Sequence, residues 1–471
     1  MSTKLNVKIA LLIVFSVLIL LVPSFFRPYH SYIGEQSYFY ERVSQLVSNG
    51  LPEGDELSYG GRDFSYDLGP IYLLSFLGKL INPELLLKFL PILLGVITLL
   101  LSYNLFKKLN IENKISQIAL ILFILSPTFF YTFTSYNIFA LTLPLILIFC
   151  TLYIDKDKIK NYLSLVILFL MSFFDYKAVI LALIFAVYYK IKEKKFKELY
   201  PALFISFISL IISYLPRIVK YGLISNNVEE NYIRNLLTEL GGIYGLSLFL
   251  IFFIFFGINY LWKEKYKNLN SYVMIILVIV FSILNKGFIV YSSLFLFYIA
   301  SLGFNYLIDS KWESEKIRKL TIIFLVIGLL FSSYNFLMDL KDSQPTRSTL
   351  DALTKLEEQG TGFDIVFSHY KYGILINSIS NKRNFMDTNF AYSSNFRNKY
   401  GDMQTIFYTR DADITKSLLN KYNIKYLLIT KEMKEGLVWN NRDEGLLFVL
   451  ENTQEFRKII FNDEVEVWRI R

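Results

Sequence analysis

The run LLLKFLPILLGVITLLLSYNLFKKL, residues 85–109, carries one charge, Lys88, before it ends on Lys107 and Lys108. About 20 consecutive apolar residues are what a helix needs to cross the hydrocarbon core of a bilayer, and lysines gathered at one end mark the side left in the cytoplasm. Working outward, similar runs recur until about residue 337 and then cease. Of the 471 residues, 54% are hydrophobic, 17% aromatic and 19% charged, with a mean hydropathy of +0.41. One water-soluble globule cannot bury that much apolar surface, so the sequence reads as a membrane protein with a soluble C-terminal portion.

Lys4 and Lys8 precede an apolar stretch from Ile9 to Phe26 that lacks a small-residue cleavage site, which predicts an uncleaved anchor. Further spans are expected at Leu85–Phe106, Ile115–Phe133, Ile138–Ile154, Leu163–Phe174, Ala178–Tyr189 and Leu199–Leu215. Four more are expected at Gly242–Trp262, Tyr272–Leu284, Phe288–Ile308 and Leu320–Met338. The shorter LGPIYLLSFLGKL reads as an interfacial helix. The cations test this pattern independently. Lys107, Lys108 and Lys114 share a loop, as do Lys156, Lys158 and Lys160; then Lys190, Lys192, Lys194, Lys195 and Lys197; then Lys263, Lys265 and Lys267; then Lys311, Lys316, Arg318 and Lys319. The intervening short loops TSYN, DYK and NKG hold almost none. About eleven transmembrane helices are therefore expected over residues 1–340, with the N-terminus cytoplasmic. Residues 341–471 would form a small extracytoplasmic α/β domain, since FDIVFS, IKYLLIT and EVEVWRI read as strands and LDALTKLEEQG and ADITKSLLNKYN as helices. A multi-pass protein of a prokaryotic cell membrane fits this composition.

Several function classes are excluded early. The single cysteine, Cys150, permits no internal disulfide or thiolate zinc site. With His30 and His369 as the sole histidines, chemistry must rest on carboxylates, lysines, arginines or hydroxyls. The net charge of +9 is scattered among loops between apolar runs rather than gathered on one face, so nucleic acid is not an expected partner.

The first outer loop, HSYIGEQSYFYERVSQLVSNGLPEGDELSYGGRDFSYDLGP, carries the chemistry-bearing residues. It sets Glu35, Glu41, Glu53, Asp55, Glu56, Asp63 and Asp67, with Arg42 and Arg62, against the membrane. A loop carboxylate is ordinarily a solvated charge. Glu35, however, opens a helix whose Tyr38, Val43, Leu46 and Val47 form an apolar face, which places its carboxylate at the membrane boundary. Two glycines before Arg62 allow a sharp turn or close approach of a ligand.

A first span followed by GEQSYFYER resembles the GT-C glycosyltransferases, a group that includes oligosaccharyltransferase catalytic subunits, protein O-mannosyltransferases and aminoarabinose transferases. The interfacial helix near Pro70, the span from residue 85, LSYGGR and SPTFFYTFT are similar to the same group, LSYGGR to its archaeal members. VFSHYKYGILINSISNKRNFMD is similar to the outer-domain stretch that holds a Trp-Trp-Asp-Tyr-Gly motif in oligosaccharyltransferases. The resemblance implies transfer of a hexosyl or pentosyl group from a polyprenyl (dolichyl) phosphate carrier to a glycan, lipid or protein acceptor at the outer face. It implies Glu35 as base or metal ligand, with Asp55 and Asp63 as further catalytic candidates and a divalent cation, Mg or Mn, as candidate cofactor. Arg42, Arg62, Lys177, Arg234 and Lys286, together with Arg217, would meet the lipid phosphate; Tyr38, Tyr66, Asp67, Glu239 and His369 would contact donor or acceptor. Gln36 stands at the oligosaccharyltransferase carboxylate position, one residue after Glu35, and HYKYG replaces Trp-Trp-Asp-Tyr-Gly, which disfavours transfer to a protein sequon. Two other classes stay open: a lipid-linked saccharide flippase, which needs ionisable groups at mid-membrane depth, and a non-catalytic scaffold of the same fold.

Overall fold

Every apolar run singled out above is helical, and the helices end where capping residues and turns interrupt the hydrophobic pattern. The computed structural model describes residues 2–471 except 28–30, 49, 222–236, 243–245, 264–268, 286, 391–392, 394 and 442. In order, α1 is Ser2–Phe26, α2 Glu35–Val47, α3 Leu68–Gly78, α4 Pro83–Lys108, α5 Asn113–Ile124, α6 Pro127–Thr134 and α7 Ile138–Tyr153. Next come α8 Lys158–Met171, α9 Tyr176–Glu193, α10 Tyr200–Tyr221, α11 Leu248–Trp262, α12 Leu269–Leu284, α13 Gly287–Asp309 and α14 Glu315–Lys341.

The expected single span Ile115–Phe133 is broken. Ser126 accepts the Phe129 N–H and Pro127 occupies the first turn of a new helix, so α5 and α6 meet at a 63° bend. By length and composition, five helices among the described residues can cross a membrane: Val7–Phe26, Pro83–Lys108, Phe196–Tyr221, Gly287–Asp309 and Glu315–Lys341. The bent pair makes a sixth, while Ile138–Tyr153 and Leu248–Trp262 are apolar but shorter. Each of the eleven expected segments thus contains a helix among its described residues, and fewer than eleven of these helices have spanning length by this measure. At the α11–α13 crossing the backbones come into direct contact, because a Cβ on Gly257 would strike the Ile299 carbonyl and one on Gly303 the Phe253 carbonyl.

Beyond α14 the chain builds a mixed sheet. With β1 at Gly54–Asp55 and β2 at Arg62–Asp63 forming a small antiparallel ladder in the first loop, the later strands are β3 Ile365–Phe367, β4 Arg383–Asn384, β5 Ile424–Thr430, β6 Phe456–Phe461 and β7 Val465–Ile470. They run in the order β4-β3-β5-β7-β6, with β3 parallel to β4 and β5 and β7 antiparallel to β5 and β6. The expected strands at 363–368, 424–430 and 464–470 are β3, β5 and β7, and the expected helices are Arg347–Glu357 and Ala412–Lys421. Strand β6 escapes the pattern because Arg457 and Lys458 interrupt its apolar alternation.

What positions the site is a shared core. Tyr32, Phe39, Val43, Tyr59 and Tyr66 of the first loop are buried with Val366, Phe367, Ile374 and Phe385 of the sheet unit, and with Leu86 and Leu87 at the start of α4. Burial of apolar surface at roughly 25 cal/mol per Å² fixes the first loop between the helices and the sheet. Arg27, at the end of α1, adds a polar tie by donating to the carbonyls of Ser343 and Pro345 where the sheet unit begins.

Candidate active site

Helix α2 is preceded by Gly34, whose φ of +71° is a backbone conformation glycine tolerates, so Glu35 opens the first turn. The sheet unit covers it. Thr388 donates its hydroxyl to Glu35 Oε1 at 2.7 Å, while Oε2 is buried and accepts no hydrogen bond among the described residues. Burial pushes the Glu35 carboxyl up to about 8, against the Thr388 hydrogen bond, with neighbouring Asp387 adding to the rise and Lys371 opposing it. A carboxyl near neutrality with one uncommitted oxygen is the equipment of a general base.

Asp387 is firmly held. Ser58 donates to its Oδ2 at 2.7 Å, Asn384 to the same oxygen at 3.1 Å, and the Asn389 N–H to Oδ1 at 2.9 Å. Gly373 makes this possible, because a Cβ there would collide with the Met386 carbonyl and the Asp387 side chain. Arg62 lies between the rings of Tyr59 and Tyr66 and donates to the Asn389 carbonyl at 2.7 Å and to Ser65 at 2.9 Å. The structure therefore brings Glu35 and Arg62 together around the turn 384–389, whose Asp387 and Thr388 the sequence reading missed. The one available signal was that the quoted stretch ends on Asp387, with Thr388 the next residue.

The other expected residues sort by environment. Asp55 and Arg42 form a bidentate pair at 2.8 and 2.6 Å, and Tyr66 donates to Asp55 at 2.7 Å. Burial disfavours the Asp55 charge, yet the guanidinium holds its carboxyl below the ordinary range. Each member thus satisfies the other. Asp63 sits in the open, bonded to Tyr221 at 2.7 Å and paired with Lys220 at 2.9 Å. Tyr38 receives the Tyr32 N–H at 3.3 Å. Glu239 accepts from Ser247 at 2.8 Å and from the Leu248 N–H at 3.0 Å, which makes it an end group for α11. His369 lies against the Tyr370 ring, and burial lowers it to about 3, so its imidazole is neutral. Arg234 and Lys286 lie outside the described residues.

A second polar cluster closes the top of the helices. Arg217 donates to Asp67 at 2.6 Å, Tyr214 to the same oxygen at 3.3 Å, and Tyr291 to Asp175 at 2.8 Å, with the Lys177 ammonium 3.9 Å from Asp175. Tyr40, on the same helix as Glu35, packs on Tyr136 and lies within electrostatic reach of Asp67 and Asp175. Five residues of helix are about 7.5 Å, so α2 links the two clusters across roughly that distance. Beneath Tyr291 lies a cavity of about 270 Å³ lined by Leu143, Leu147, Phe185, Phe295 and Tyr298.

For a divalent cation the described residues supply too few donors. No group of three or more His, Cys, Asp or Glu side chains among them could hold one, and both oxygens of Asp387 already accept from protein donors. Glu35 Oε2 alone does not make a coordination sphere.

No protein-family model and no curated protein matches the sequence. By structure, the chain is similar to the oligosaccharyltransferase of Archaeoglobus fulgidus in its apo form, at TM-score 0.62 and 13% identity over 90% of this chain and 70% of that one. It is also similar to ArnT from Cupriavidus metallidurans bound to undecaprenyl phosphate, at TM-score 0.57 and 9% identity over 98% and 97% of the two chains. A third neighbour is the mycobacterial arabinofuranosyltransferase AftD, at TM-score 0.52 and 14% identity over 98% of this chain and 41% of that one. The chain has the GT-C fold. Within the GT-C neighbours, the archaeal enzyme has also been seen with an inhibitory peptide and a dolichol-phosphate, and with Zn and sulfate.

Proposed function

We propose that this GT-C chain is a membrane glycosyltransferase that moves a sugar from a polyprenyl phosphate carrier to a hydroxyl acceptor at the outer face of the membrane. The observation that carries the reading is Glu35: a carboxyl held near neutrality, with one oxygen anchored by Thr388 and the other buried and uncommitted. The acceptor hydroxyl attacks the anomeric carbon as its proton passes to Glu35 Oε2. The bond from that carbon to the phosphate oxygen breaks, and the polyprenyl phosphate leaves with the electron pair. Arg217, beside Asp67, and Lys177, beside Asp175, are the cations that would receive that phosphate. The N-terminus is cytoplasmic and the sheet unit outside in this reading, as the lysine distribution implies.

The test is transfer by the purified full chain from a panel of radiolabelled polyprenyl-phosphate sugars into membrane extract. Label should enter a product with the natural protein, and Glu35→Gln should reduce transfer by about 10²–10⁴ without lowering the thermal unfolding midpoint. Full activity of Glu35→Gln would overturn the assignment.

A further inference from the structure

A second cavity, of about 220 Å³, lies between Tyr59 and Gly60 of the first loop and Ile365, Phe385, Lys399 and Tyr422 of the sheet unit. Its walls are the rings of Tyr59, Phe385 and Tyr422, with Lys399 inside and Lys421 and Asn423 toward solvent. Tyr59 is a non-glycine residue at φ +55°, fixed there by its N–H to Asn384 at 2.7 Å and its hydroxyl to the Asp387 carbonyl at 3.0 Å. That backbone turn presents the Tyr59 carbonyl to the Lys399 ammonium, which donates to it.

Lys399 is an unusual cation. Its ammonium lies 5.6 Å from the Tyr59 and Phe385 ring centres and 5.9 Å from that of Tyr422, and it forms no ion pair among the described residues. Burial, followed by repulsion from Arg62, lowers it to about 8, and Asp387 only partly compensates. Lys421 is already matched, at 2.6 Å from Asp402, which also accepts from Tyr422. The cavity therefore holds one cation in excess. A single negative charge would balance it, whereas a doubly charged phosphate would leave a surplus beside Asp402.

The shape limits the rest of the ligand. The Tyr422 ring, partly exposed at the mouth, offers an aromatic face to the C–H face of a pyranose, and the exposed Asn423 amide beside it suits hydroxyls. The volume lies below the 300–1,000 Å³ range of drug-sized sites, which suits one monosaccharide unit. We propose that this cavity binds an acidic sugar residue, a uronate, with its carboxylate on Lys399 and its ring at the mouth beside Tyr422. The chain would thereby recognise an anionic glycan at a point distinct from Glu35.

The inference goes beyond the proposed transfer reaction and is tested without it, because binding is measured with no donor present. The full chain in detergent is titrated with methyl β-D-glucuronide, methyl β-D-glucoside and inorganic phosphate. The glucuronide should bind at least about tenfold more tightly than either other probe, and Lys399→Gln should weaken it by about 10–100-fold, the worth of a hydrogen bond to a charged group. Lys421→Gln, at the half-exposed mouth, should weaken it only a few-fold. Equal binding of glucuronide and glucoside, or undiminished binding by Lys399→Gln, would overturn the proposal. So would phosphate binding as tight as glucuronide, which would reveal a simple anion site. Should Lys399→Gln not fold, the comparison of charged and neutral sugar on the natural chain, with Lys421→Gln, decides alone.

Discussion

Asp55→Asn should destabilise the protein without touching its chemistry. Asp55 is fully buried and Arg42 nearly so, and the carboxylate accepts two guanidinium bonds at 2.8 and 2.6 Å, the Tyr66 hydroxyl at 2.7 Å and the Leu57 N–H at 3.2 Å. The asparagine keeps the volume but removes the charge, leaving the Arg42 cation buried without its counter-ion. Breaking such a pair from one side costs about 3–5 kcal/mol, whereas replacing both members by apolar residues of similar volume is often close to neutral. Asp55→Asn should therefore lower the thermal midpoint of the full chain in detergent by several degrees, and Arg42→Met/Asp55→Leu should recover most of the loss. Protonation gives a second signature. The folded-state carboxyl lies below its ordinary value, so its contribution is complete above the unfolded value near 3.9 and is lost as pH falls through the folded one. The difference between natural and Asp55→Asn midpoints should accordingly shrink in acid. Transfer per folded molecule should stay within about threefold. An unchanged midpoint, or a stable variant whose transfer falls by about 10², would refute the reasoning and return Asp55 to the reaction.

Three further outcomes follow. With the Glu35 carboxyl at about 8, about a tenth is ionised at pH 7, so transfer should rise nearly tenfold per unit from pH 6 and level off above pH 8; a plateau already reached at pH 5 would remove Glu35 as base. The raised value also means that the folded state holds this proton more tightly than the unfolded one, so stability is lost as pH climbs from about 4.3 through 8. Glu35→Gln, locked in the neutral form, should then unfold at a higher temperature than the natural protein at pH 9, and a lower midpoint would contradict the sign. Gly303→Ala drives a methyl into the Phe253 carbonyl and should cost about 1–3 kcal/mol of bundle stability, read as a lower detergent unfolding midpoint.

The membrane portion was legible because bilayer thickness imposes its own length on the sequence: runs such as residues 85–109 have few soluble explanations. The break at Ser126 and Pro127 was not, since the run Ile115–Phe133 is apolar on both sides of a cap that hydropathy does not register. In the sheet unit, β5 and β7 declared themselves through β-branched and aromatic residues, while the charges in β6 hid it. Glu35 was legible by its place after the first apolar run. Its partners Thr388 and Asp387 were not, because no local pattern links residues 353 positions apart.

Asp55 and Glu35 show why candidate carboxylates could be gathered from the sequence but not ranked. They stand 20 positions apart in one loop, both removed from water, and burial alone would push each toward its neutral form. Arg42 reverses that for Asp55: a fixed cation with two parallel hydrogen bonds keeps the charge and consumes the acceptor capacity, which leaves a structural pair. Glu35 has a hydroxyl where Asp55 has a guanidinium, and Asp387 nearby raises it further, so it is left neutral and with an oxygen to spare. Environments that drive two carboxyls apart in this way are how acid–base roles are assigned in a site. The distinction lies in what the distant sheet unit brings to each side chain, and it makes Glu35, rather than the acidic cluster as a whole, the place where a proton can be taken and given back.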